Sequence, residues 1–331
     1  MFFIKYFESF FNKLKKFNLY FLSICGFIFI GFVLVTYVID GNTLNIDRWS
    51  ALEVTIKSVL NLEYPYSVKD HLGKTTSNLP ALFFIALPFY LIGNIGLLQP
   101  FVFIFLITLL YRLNFSNARK LFFLTLLMIS PAYLWEIVVK SDLMSNIFLF
   151  VIFFFLWDTK YKNDYFKAPY LLAFLSAFFV FTRVIIVIPL TILLFKKFIN
   201  TSIKNKFKFC LGFLISLFLI SLPILFTLPG CNKIIEHNPF NHQTRVGPKY
   251  LQYVFLLLPF YISFYTKTFK EFLSNSTIVL TALLFLILLF YVLKFGLYKA
   301  IILSYFDISY LGMILPFLIF YFTIVTFKRI N

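Results

Sequence analysis

Long apolar runs recur along this chain and constrain its fold more than any other feature. The first, Tyr20 to Ile39, is about 20 residues, roughly 30 Å as a helix and long enough to cross a bilayer. Further runs lie at about 95–112, 119–134, 143–158, 165–182, 184–199, 209–228, 250–265, 276–293 and 302–326. Together they predict an all-α polytopic membrane protein of about ten transmembrane helices, forming one domain over residues 1–331. Composition agrees: 61% of residues are hydrophobic and 13% charged, with a mean hydropathy of +0.91, far outside the soluble globular range. A soluble enzyme is excluded. Cys25, Cys210 and Cys231 are widely separated, so neither a disulfide framework nor a zinc site is indicated.

Charge orients the chain. Lys5, Lys13, Lys15 and Lys16 precede the first run, which ends without a small-residue cleavage site and reads as an uncleaved signal anchor with its N-terminus inside. The run Leu79 to Ile92 is about 14 residues, roughly 21 Å as a helix, and is short for a span. If it lies at the interface, 19 Lys and Arg face the cytoplasm and 11 the outside; if it crosses, most of that excess moves outward, against the positive-inside rule. A single helix from Tyr165 to Ile199 would be about 50 Å long, so the chain is expected to break at Arg183 on the outer surface. The formal net charge of +17 thus reads as cytoplasmic anchoring in a plasma (inner) membrane, not as nucleic-acid binding. Both termini fall inside.

On this topology nine of the thirteen acids and all three histidines face outward. No acid lies in the middle of a span, which counts against an ion-coupled transporter, and neither broken helices with polar groups near the midplane nor an internal repeat is evident, which counts against a flippase for lipid-linked substrates. The largest outer segments are 40–94 and about 229–250. In the first, Asp47 opens a surface helix over about 47–62 whose apolar residues Trp49, Leu52, Ile56, Val59 and Leu60 recur at helical spacing. Tyr64-Pro65-Tyr66 and a polar loop follow, then Asn78-Leu79-Pro80 starts a second surface helix over about 79–92. Asp142 begins a span beyond the Ser130-Pro131 stop. Capping is the ordinary role of both acids, and it is compatible with a catalytic one. Lys140, Arg183, Arg245 and Lys249 gather on one membrane face and would suit a lipid phosphate, although Arg183 also fits an interfacial anchor. The eleven glycines form no phosphate loop.

This order of features resembles the GT-C superfamily of membrane glycosyltransferases, including protein O-mannosyltransferases and aminoarabinose and mannosyl transferases that use polyprenyl-phosphate sugars. The likeness covers roughly the first 200 residues: Asp47-Arg48-Trp49-Ser50-Ala51-Leu52, Tyr64-Pro65-Tyr66, Leu72-Gly73, the Pro80 to Gly93 helix, Ser130-Pro131 with Asp142 beyond, and Phe181-Thr182-Arg183. Many members carry Asp-Asp or Asp-Glu where this chain has Asp47-Arg48. Many also carry a soluble C-terminal domain, whereas Phe327-Lys328-Arg329-Ile330-Asn331 are the last residues here.

The resemblance implies sugar transfer with inversion to a lipid, glycan or protein acceptor on the outer face. It needs a base, cations for the leaving phosphate and a groove for the apolar tail. Asp47 and Asp142 are then the catalytic acids, with Asp47 as base. Arg183, Lys140 and Arg245 hold the donor phosphate, and Arg48, Tyr64, Tyr66 and His71 contact the acceptor or shape the loop. The resemblance leaves open whether Asp47 and Asp142 also hold a divalent cation. The competing readings are a transporter or flippase for lipid-linked sugars and a non-catalytic membrane subunit.

Overall fold

The computed structural model describes residues 9–113, 115–244 and 247–326. Its described residues are helical, with no strand beyond one isolated bridge between Lys69 and Thr75. The first span, α1 (Phe17–Val38), is followed by α2 (Arg48–Leu60) and α3 (Pro80–Leu91), close to the two surface helices expected. Pro80 occupies the first turn of α3, where its missing N–H is harmless. The 12 residues of α3 give about 18 Å, short of the roughly 30 Å of a hydrocarbon core. The apolar face of α2 does not lie open: Leu52, Ile56 and Val59 pack with Tyr64, Tyr66, Leu82, Phe83 and Ala86. Tyr66 donates to the Asn78 carbonyl at 2.9 Å, tying the loop between these helices to the start of α3.

The remaining helices are α4 (Leu98–Arg112), α5 (Asn117–Met128), α6 (Pro131–Val138), α7 (Leu143–Tyr161), α8 (Pro169–Val180), α9 (Val187–Asn200) and α10 (Ile203–Leu225). They are followed by α11 (Cys231–Glu236), α12 (Pro239–Thr244), α13 (Lys249–Tyr265), α14 (Phe269–Phe295) and α15 (Leu315–Thr326). Six segments among the described residues are long and apolar enough to span a membrane: 17–38, 95–112, 143–161, 203–225, 269–295 and 308–325. A seventh is counted if α5 and α6, bent by 64° to each other, form one broken span. The structure is thus an all-helical protein with several candidate spans, and four of the ten expected runs fall outside these six segments.

One bend and three short helices account for those four, including the break expected at Arg183. Pro131 bends the run 119–134 into α5 and α6, with the Ser130 hydroxyl capping Tyr133 N–H at 3.3 Å. Pro169 delays α8, and Arg183 adopts extended backbone between α8 and α9 (φ −156°, ψ 133°), leaving helices of 12 and 14 residues. The run 250–265 becomes α13, 17 residues long after Pro248. The core is aromatic and centred on α7: Phe150 packs against Phe154, Phe179, Phe272 and Phe317 at centroid distances of 4.8–6.4 Å. By contrast α1 and α10 bury only 22% of their apolar windows, as suits helices that face lipid.

Candidate active site

The segments that join helices at one end of the bundle enclose a cavity of about 860 Å³. It is lined by the start of α2, the loop before α3, α6 and the turn into α7, Arg183, and residues 304–315 before α15. Asp47, Arg48, Asp142 and Arg183 all line it, so four of the sequence candidates meet in one space.

Both acids stand at helix N-cap positions, yet neither side chain caps its helix. The Asp47 carboxylate instead faces the Lys74 ammonium at 3.4 Å. Asp142 receives Arg183 Nη2 at 2.7 and 2.6 Å on its two oxygens, and Asn146 Nδ2 at 2.7 Å. The cap of α7 is supplied by Glu136, whose carboxylate accepts from Met144 N–H at 2.7 and 2.8 Å and from Ser145 N–H at 2.9 Å. Access separates the two acids: the Asp47 side chain is 28% exposed and that of Asp142 is 1% exposed. Asp47 can meet a molecule in the cavity, whereas Asp142 acts on it through Arg183.

Arg48 crosses the cavity to residues 259 positions further along the chain, pairing with Asp307 and reaching Ser309 Oγ at 3.4 Å. Its guanidinium lies 5.1 Å from the Tyr310 ring centroid. Burial works against the Arg48 charge, but Tyr310, Asp307 and Asp47 hold it above its usual value. Burial likewise pushes the Asp307 carboxyl up, but Arg48 and the Ser309 N–H and O–H outweigh it and hold it below the usual value.

A second cavity, about 340 Å³, adjoins the first through the residues they share, Ser77, Arg183 and Tyr310. Its remaining lining is mostly apolar, including Ile188, Leu256, Leu283, Leu284 and Ile287 from α9, α13 and α14. Gln243 on α12 pins this junction: its Nε2 donates to the Ser77 carbonyl at 2.7 Å and its Oε1 accepts from Val184 N–H at 3.0 Å.

The other sequence candidates lie elsewhere. Lys140 does not line either cavity; its stem lies against Gly96, and its ammonium is 5.9 Å from the Trp49 ring centroid. Burial holds that ammonium below its usual pKa, partly offset by Asp40 and Glu53. Tyr64 and Tyr66 are buried against α2 and α3, where desolvation raises both phenols. His71 bonds Ser50 Oγ through Nδ1 at 2.6 Å and the Leu44 carbonyl through Nε2 at 3.1 Å, joining parts of the 40–94 segment. Arg245 lies outside the described residues. Among the described residues, no three His, Cys, Asp or Glu side chains are grouped to hold a metal ion.

Sequence reasoning missed Lys74, Glu136, Asp307, Tyr310 and Gln243 as site residues. Glu136 and Asp307 stood out only as acids on the outer side, and nothing local marks their partners. Comparison with family models, with curated proteins and with solved structures gives no match. Fold and site define a class: an all-helical protein with several candidate membrane spans and a charge-paired cavity that adjoins an apolar one.

Proposed function

We propose that this chain is an integral membrane glycosyltransferase that moves a sugar from a polyprenyl-phosphate donor to a lipid, glycan or protein acceptor. The observation that carries this reading is the junction at Arg183, where a polar cavity holding a reachable carboxylate adjoins an apolar one. A donor with a charged head and a hydrocarbon tail matches that division: the tail in the apolar cavity, the phosphate beside Arg183, and the sugar toward Asp47. Asp47 takes the proton from the acceptor hydroxyl as its oxygen attacks the anomeric carbon. The bond from that carbon to the phosphate oxygen breaks, and polyprenyl phosphate leaves as an anion, so no general acid is needed. Asp142 is a positioning residue that holds Arg183. The GT-C likeness, ten membrane crossings, cytoplasmic termini and an outward-facing site in the plasma membrane belong to the same proposal.

The test compares lipid-linked sugars and surface glycans in deletion cells carrying wild type or Asp47→Asn at matched membrane expression. A base of this kind contributes about 10²–10⁴-fold, so only wild type should restore the glycan, and the polyprenyl-phosphate sugar should accumulate with the variant. Equal restoration would make Asp47 a structural residue and end this reading. The 64° break between α5 and α6 favours a second reading, a transporter of lipid-linked sugars. In that case the donor would change membrane side without being consumed.

A further inference from the structure

Every carboxylate lining the polar cavity is already engaged within the chain. Asp47 faces Lys74 at 3.4 Å, Asp307 is paired with Arg48, and Asp142 is paired with Arg183 at 2.6 Å. Glu136 accepts from two backbone N–H groups of α7. Asp70 Oδ1 accepts from Leu72 N–H and Lys74 N–H, both at 2.9 Å. A hard divalent cation needs oxygen ligands free to converge on it. Here the reachable acid, Asp47, is flanked by the Lys74 ammonium and by Arg48, the next residue in the chain, and Asp142 is enclosed by Arg183 and Asn146. An added dication would have to displace Lys74 from Asp47, or Arg183 from Asp142, before those oxygens could turn to it. The residues present do not fit it.

We propose that Arg48, Lys74 and Arg183 take the electrostatic place of a divalent cation, so that this cavity works without an added metal ion. Arg48 is the central element. It lies among Asp47, Asp307, Ser309 and Tyr310, and links the α2 end of the cavity to the segment before α15. A guanidinium suits this role because it keeps its charge when buried and presents donors in fixed directions. The cations also need no recruitment from solution, and Arg48 and Arg183 are held by their carboxylate partners before any ligand arrives. The catalytic part of this inference rests on the transfer reading above, whereas its binding part concerns the cavity alone.

Mn²⁺ alone is the probe. The full chain, purified in lipid nanodiscs, is titrated while free Mn²⁺ is followed by electron paramagnetic resonance. Wild type should show no stoichiometric site up to about 1 mM. Arg48→Met removes the guanidinium and keeps an apolar stem; it should gain a site at least about tenfold tighter than any in wild type, and adding Asp307→Asn should abolish it. One Mn²⁺ bound per wild-type chain and lost in Asp47→Asn would overturn the proposal. So would an Arg48→Met protein that remains monodisperse and binds Mn²⁺ no better than wild type. Donor turnover is then measured before and after chelation. Equal rates support the inference, and a loss restored by Mn²⁺ refutes it. If neither condition gives turnover, the transferase reading fails, and the Mn²⁺ titration still decides this one.

Discussion

The two cavities that meet at Arg183 are held in shape by different means. The polar one is laced by pairs drawn from distant parts of the chain: Asp47 with Lys74, Asp142 with Arg183, and Arg48 with Asp307. The apolar one is shaped by aliphatic side chains of α9, α13 and α14 that pack because of their size and position. The first arrangement depends on charge matching and fails when one partner is removed. The second depends on volume and fails when the space is filled. Arg183 belongs to both, so damage there should spread further than damage in either alone.

Arg183→Met sharpens the comparison most. It leaves the Asp142 carboxylate buried without its cation, an error that costs about 3–5 kcal/mol. Thermal unfolding in detergent should show a large loss of stability, and adding Asp142→Leu should recover most of it because no buried charge is then left unpaired. Recovery without Asp142→Leu would mean that the pair is not the organising contact.

Filling the apolar cavity should be milder and confined to one substrate property. Ile287→Trp places a large ring where Ile287 now borders the space. For a polyprenyl donor KM should rise about tenfold, about 1.4 kcal/mol, while a donor analogue without a hydrocarbon tail should be little affected. An equal penalty on both donors would show that the tail does not use this cavity.

The smallest effect comes from acid. The Asp307 carboxyl is held below its usual value, so its contribution is fully present above the unfolded value near 3.9 and is lost as pH falls through the lower folded value. Asp307 is partly exposed, so solvent screening limits the effect to about 1 kcal/mol or less. Unfolding followed from pH 7 to pH 3 should show the gap between wild type and Asp307→Asn narrowing toward the acid end. A gap of the same size at pH 7 and pH 3 would assign the difference to packing instead of charge.

The elements that sequence reveals well are those governed by local pattern. The helices α2 and α3 fall close to 47–62 and 79–92 because apolar spacing and Pro80 are local signals. Asp47, Asp142 and Arg183 stand out because each interrupts or opens an apolar run. Their partners do not. Lys74 sits in an ordinary polar loop, and Asp307 lies 259 positions from the Arg48 it pairs with. Lys140 shows the opposite error: its place on the same face suggested a phosphate contact, yet the turn after α6 takes a positive φ of 53° and carries the side chain toward Gly96 and Trp49. The span count is less legible: Pro131 bends one apolar run, and the break at Arg183, expected from the sequence, leaves helices of only 12 and 14 residues on either side.

Glu136 has a consequence that goes beyond helix capping. An aspartate at the head of a helix has two competing uses for its carboxylate, the N–H groups of its own first turn or a neighbouring cation. Because Glu136 already occupies the Met144 and Ser145 N–H groups, Asp142 is released from the first use and committed to the second. The choice of partner at Asp142 is therefore made by a residue whose own hydrogen bonds go to the backbone of α7, and the charge presented where the two cavities meet is decided six positions upstream, at the end of a bent helix.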